Sequence, residues 1–119
     1  MRQNVRSGSP WEDVVGYSRA VRVGNHVAVA GTTAPGADAY DQTKNALAKV
    51  GRALEEVGAS FEDVVRTRLF VTDIAQWEAV GRAHAEVFAK IKPAATMVEV
   101  SRLIGREFLV EIEVDAIIS

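Results

Sequence analysis

The sequence predicts an α+β fold in which a mixed sheet of at least five strands carries two helices on one face. Two segments, within 39–57 and 77–90, repeat apolar residues at helical spacing. Four others, 19–30, 65–71, 94–100 and 108–118, are β-branched or alternate in polarity. The classes interleave as β-β-α-β-α-β-β, an order suited to helices packed on a shared sheet.

Gly24-Asn25 separates Arg19–Val23 from His26–Ala30, which reads as a β-hairpin with a tight turn. Pro35, Gly36 and Asp38 mark a loop from Thr32 to Asp38, and Asp38 is placed to cap a helix. That helix runs from Ala39 to Val57, with Leu47, Val50, Leu54 and Val57 on one side and Gly58 at a left-handed C-terminal cap. After a turn at Ser60 to Asp63, a strand from Val65 to Val71 puts Val65, Thr67, Leu69 and Val71 on one face and Arg66, Arg68 and Phe70 on the other.

Asp73 and Gln76 resemble a capping box, and Trp77, Val80, His84, Val87 and Phe88 share one side of a helix ending near Lys90. Pro93 closes it, and strands Ala94–Val100 and Phe108–Ile118 follow, joined by a loop containing Gly105. In the last strand Val110, Ile112, Val114 and Ala116 should face the helices. Glu111, Glu113 and Asp115 then lie on the opposite face, which is either solvated or a polar subunit interface.

A chain of 119 residues reads as one domain, 1–119, and 48% hydrophobic with 25% charged residues is an ordinary globular composition. Only 7% of residues are aromatic and many apolar ones are Ala or Val, a thin core that motivates an oligomer. Fourteen Lys and Arg against sixteen Asp and Glu give a formal charge of −2, so no overall field gathers nucleic acid or acidic membrane. The lack of cysteine removes disulfides, thiolate catalysis and zinc-thiolate sites. Met1 to Arg6 lead into no signal-type apolar stretch, and no run approaches a membrane span, so the expected location is cytoplasmic.

Glu111, Glu113 and Asp115 set neighbouring carboxylates about 7 Å apart on one strand face. Such a pair suits acid-base work or a hard metal, but it also suits pairing with Arg66, Arg68 or Arg102 across strands. Arg66 and Arg68 equally suit a bound carboxylate or phosphate. His26 and His84 lack HxH or HExxH spacing, so no metal is expected. Ser18, Thr32 and Ser101 lack a nucleophile elbow, and Gly31 and Gly36 make neither a dinucleotide fingerprint nor a P-loop. Trp11 and Tyr17 suit either a ligand wall or the core.

Val64-Val65-Arg66-Thr67-Arg68-Leu69-Phe70-Val71-Thr72-Asp73, Pro93-Ala94-Ala95-Thr96-Met97-Val98-Glu99-Val100 and Val110-Glu111-Ile112-Glu113 together resemble the RidA (YjgF) family, and Gly16-Tyr17-Ser18 and Ala30-Gly31 fit the same pattern. The resemblance implies a chorismate-mutase-like fold, a homotrimer with three intersubunit clefts, and hydrolysis of 2-imino acids and their enamine tautomers to 2-keto acids and ammonia without a cofactor. It carries the water-positioning glutamate to Glu111 and the cleft aromatic to Tyr17. Ala95 stands where the archetype has a carboxylate-clamping arginine, Ala30 where it has a serine, and Gly81 and His84 where it has an asparagine and a tyrosine. The loop from Thr32 to Asp38 is shorter, and Ile104-Gly105-Arg106 replaces a proline-containing turn.

The resemblance therefore implies a non-archetypal RidA-like trimer that binds a small imine, enamine or related metabolite and, if it is an enzyme, hydrolyses it. Glu111 would orient water, and Tyr17, Ala30, Gly31, Thr32, Ala95, Thr96 and Met97 would line the substrate site. The small molecule and further copies of the chain are the expected partners. Without the clamp, a carboxylate would need Arg66, Arg68 or Arg102 from another direction. The alternatives are a non-catalytic binding or sensing module and, last, a ribonuclease, which the acidic balance opposes.

Overall fold

The computed structural model describes residues 1–119. Six strands and three α-helices run in the order β1 (Arg2–Val5), α1 (Pro10–Val15), β2 (Ala20–Val23), β3 (His26–Thr32), α2 (Ala39–Glu56), β4 (Val64–Val71), α3 (Trp77–Phe88), β5 (Ala94–Glu99) and β6 (Val110–Ile117). The strands form one sheet, ordered β1-β2-β3-β6-β4-β5. Only β4 and β5, joined through α3, are parallel, so the sheet is mixed as predicted.

The β2–β3 hairpin has the predicted two-residue turn: Val23 pairs with His26, and Gly24 takes a φ of 59°, which a primed turn requires at its first central position. The predicted caps of α2 also form. Asp38 accepts from the Asp41 amide at 2.8 Å, and Gly58 adopts φ 81° past the helix end. Asp38→Ala is expected to lower stability by about 1 kcal/mol, read as a shifted denaturant midpoint at unchanged slope.

The helix side of the sheet and the inner face of α2 build the core. Val27, Val29, Leu69, Val71, Ile112 and Val114 meet Leu47, Val50 and Leu54, all buried in one cluster with Val80 and Phe88 of α3. Each such side chain contributes about 1.5–3 kcal/mol through lost contact with water. Phe88 also packs edge-on against Phe61, ring centroids 5.5 Å apart.

Several sequence expectations need correction. β1 and α1 were not predicted. β1 has four residues of which only Val5 is buried, and α1 has six residues that leave Trp11, Val14 and Val15 exposed. Val65 does not share the face of Thr67. Val64 pairs with Ala116 and Arg66 with the adjacent Asp115, so Val65 is the extra residue of a bulge and is exposed. Asp73 caps a 3₁₀ turn, Ile74–Gln76, through the Ala75 amide rather than a capping box on the helix itself. Trp77, placed on the inner side by its spacing, starts the helix beyond the core and is 56% exposed.

Two bulges shape the open face of the sheet. In β3, Val29 pairs with Val114 and Thr32 with Ile112, so Ala30 and Gly31 together oppose Glu113 alone. This extra residue turns Gly31 toward the start of β6, where Glu111 begins the acidic row.

Candidate functional site

Glu111, Glu113 and Asp115 lie on the open face, each half-buried, while their neighbours Val110, Ile112, Val114 and Ala116 are buried as predicted. Cross-strand pairing accounts for two of the acids. Arg68 Nη1 donates to Glu113 at 3.1 Å and to Asp115 at 3.4 Å. Arg68 is thereby engaged with Glu113 and Asp115, and no ion pair includes Arg66, Arg102 or Glu111.

Glu111 instead leans over Gly31. A methyl group built on Gly31 would lie 2.0 Å from Glu111 Oε2 and 2.9 Å from its Cδ, so the carboxylate occupies the space that a side chain at 31 would need. Burial pushes the Glu111 carboxyl above its usual range; the nearby Arg19 charge pulls it down, and Glu113 adds a smaller push upward.

Arg19 is the residue that sequence reasoning missed. Its Nη1 donates to Thr32 Oγ1 at 3.1 Å and its Nη2 to the Gly31 carbonyl at 3.0 Å, while the guanidinium lies 5.7 Å from the Tyr17 ring centroid. A signal was available: the register of the predicted Arg19–Val23 and His26–Ala30 hairpin already sets Arg19 beside Ala30, and Ala30 N does donate to Arg19 O.

Glu12 of α1 completes this wall. Pro10 at the first turn and Ser9 at the cap start the helix, and Gly16, at φ 89°, ends it so that the chain turns into Tyr17. Glu12 is covered and accepts from both the amide and the hydroxyl of Ser7. The Ser7 hydroxyl holds its carboxyl below the usual range against the opposing effect of burial, with further help from the Ser7 amide, Arg19 and Arg6. A groove of about 780 Å³ runs along the open face past Glu113, Asp115 and Ala28 to Tyr17 and Ala30. It stops short of Glu111.

The sequence-derived site residues fall into two groups. Tyr17, Ala30, Gly31 and Glu111 gather at the β2–β3–β6 end of the open face, with Thr32 fully buried behind them and its hydroxyl shared between Arg19 and the Ala30 carbonyl. Ala95 and Met97 are in register with Thr67 and Leu69 and therefore lie on the helix side of edge strand β5. Thr96, in register with Arg68, points to the open face three strands from β3, with β6 and β4 between. One chain does not bring these groups into a single pocket.

Beside Ala95, the Thr67 hydroxyl is bonded to His84 Nε2 at 2.9 Å. Burial lowers the His84 pKa, and its ring tilts against Phe88 with centroids 4.6 Å apart, so this histidine serves packing. His26 is exposed at the hairpin. No cluster of His, Cys, Asp and Glu could hold a metal ion, and no helix is long and apolar enough to cross a membrane.

Comparison with known proteins agrees with this architecture. A family profile described as Endoribonuclease L-PSP matches residues 9–118. The crystal structure of a YjgF/YER057c/UK114 family member from Mycobacterium tuberculosis superposes with a TM-score of 0.98 at 53% identity, covering 99% of this chain and 100% of that one. A RutC family protein of Pyrococcus abyssi is 35% identical over 105 residues, 82% of each chain. The 3-aminoacrylate deaminase RutC of Acinetobacter baylyi is 33% identical over 75 residues, 63% of this chain and 59% of the relative. With the family profile spanning residues 9–118 and the fold superposing over 99% of the chain, the protein belongs to the YjgF/RidA family, whose profile bears the Endoribonuclease L-PSP description.

Proposed function

We propose that the protein binds and hydrolyses a small imine, enamine or related reactive metabolite at Glu111, without a cofactor. The observation that carries this reading is the Glu111 carboxyl itself: half-buried, free of any ion pair, seated on Gly31 and raised in pKa. Water adding to the carbon of a C=N bond must lose a proton, and the nitrogen must gain one before it leaves as ammonia. A carboxyl whose pKa lies closer to neutrality does both better than an ordinary one. The aminoacrylate deaminase among the relatives supports the same substrate class.

The split site supports an oligomer with its cleft between copies, which the family resemblance makes a homotrimer. With Glu111 and Tyr17 on one face of the sheet and Ala95 and Met97 on the other, a cleft lined by both groups takes them from two copies. The exposure of five of the six β5 residues in the single chain fits such a contact. Light scattering should give three times the chain mass; a monomer would contradict the shared cleft.

A specific observation favours a second reading, a binding or sensing module. Ala95 offers no side-chain polar group, and the hydroxyl beside it is already taken by His84. The two readings separate in one assay, in which an amino acid oxidase generates 2-imino acids in place for wild type and Ala95→Arg. Faster imine decay with wild type supports hydrolysis, whereas saturable binding without product in both proteins supports the module. Nothing in the geometry favours the ribonuclease reading, since His26 and His84 sit on separate elements and the net charge is −2.

A further inference from the structure

We propose that Arg19 is the anion-recognition group of this protein, selecting small substrates that carry a carboxylate beside the reacting carbon. This rests on the hydrolytic site proposed above and names the residue that would give it substrate selectivity. Arg19 and Glu111 bracket the same glycine: the guanidinium donates to the Gly31 carbonyl while the carboxylate covers the Gly31 α-carbon. A substrate anion held by Arg19 would thus lie beside the carboxyl that handles its water.

The buried nitrogens of a guanidinium that served structure alone would be satisfied by the chain's own acceptors, and those of Arg19 are not all so satisfied. Arg19 has five N–H donors, and its two bonds within the chain go to neutral acceptors, the Thr32 hydroxyl and a backbone carbonyl. Its Nε is the only buried side-chain nitrogen or oxygen in the molecule with no hydrogen-bond partner. The chain's three ion pairs are Arg6–Asp13, Arg68–Glu113 and Arg68–Asp115, so no carboxylate lies within ion-pair distance of Arg19.

The two neutral anchors fix the plane of the fork, and Tyr17 flanks it, so the cation is held in place before a ligand arrives. A planar, fixed guanidinium with unused donors matches a carboxylate in shape and charge. The arginines that the sequence suggested do not offer this, because Arg68 is already bound to two acids, Arg66 lies further along β4, in register with Asp115 rather than Glu111, and Arg102 is exposed on the loop between β5 and β6.

The test titrates pyruvate and its uncharged amide by calorimetry into the full-length wild type, Arg19→Gln and Arg19→Lys, with circular dichroism to check folding. Wild type should prefer pyruvate. Arg19→Gln should weaken pyruvate binding about 10- to 100-fold, the range for losing a hydrogen bond to a charged group, and leave the amide unchanged. Arg19→Lys, which keeps the charge without the fork, should recover part of the loss, and it serves as the informative variant if Gln impairs folding.

Absence of a wild-type preference for pyruvate, a preference that survives Arg19→Gln, or wild-type affinity in Arg19→Lys would overturn the assignment. Pyruvate held through Arg19 with no imine turnover would sink the hydrolytic reading and leave this one standing. Imine turnover with the probe preference untouched by Arg19→Gln would do the reverse.

Discussion

Replacing Glu111 with Gln should lower imine hydrolysis by about 10²–10⁴-fold, the usual contribution of a positioned acid-base group, while leaving the fold and the assembly intact. Gln keeps the shape over Gly31 but cannot accept a proton from water. The variant should also unfold at a higher temperature than wild type near neutral pH. The folded-state pKa of Glu111 is raised by burial, so its neutral form is the one that the fold favours. The stability associated with that proton is present below the ordinary glutamate range and is lost as pH rises through the raised value. A neutral Gln does not undergo that loss. A large drop in rate together with a rise in melting temperature is the signature of a group kept for chemistry, and a drop in both would point to a structural role.

The second large effect is expected from Gly31→Ala. A β-carbon there would stand 2.0 Å from Glu111 Oε2, but that oxygen is the far end of a flexible side chain and can swing away. Stability should therefore change by less than about 1 kcal/mol, since no core atom has to move. Turnover should fall by at least about 100-fold, because a small displacement of a positioned group is enough to lose much of its effect. The double variant decides between mechanisms. If Gly31→Ala acts by moving the carboxylate, it should add almost nothing once Glu111 is already Ala, a non-additivity typical of groups in contact. Full additivity would place the role of Gly31 elsewhere.

The legible parts of this fold are those where a pattern repeats for several turns or pairs. β6 alternates apolar and acidic residues from Val110 to Asp115, and α2 repeats Leu47, Val50 and Leu54, so both faces could be assigned from spacing alone. β1 and α1 are too short for any period to show, although Ser9-Pro10 followed by Glu12 has the chemistry of a helix start. The Val65 bulge was illegible for another reason. An inserted residue leaves alternation intact on either side and reverses the face between them, which only the partner strand reveals.

The site was partly legible for the same reasons. Glu111 stands out as an acid in an alternating strand, and the family resemblance adds its role. Arg19 has no local pattern that ties it to Glu111. The strand order brings β2, β3 and β6 side by side, and the β3 bulge turns Gly31 between the two charges. Resemblance also directed attention to Ala95, the absent cation, while the cation that is present sits on the opposite face of the sheet, two residues after Tyr17.

The measurement that bears most directly on Glu111 as the reacting group is the pH dependence of kcat/KM for imine hydrolysis, compared between wild type and Glu111→Gln. Wild type should lose activity as pH falls through a midpoint above the ordinary glutamate range, as a buried carboxylate acting as base requires, and Glu111→Gln should retain only a slow rate with that acid limb gone. The same acid limb in both proteins, at comparable rates, would contradict the account.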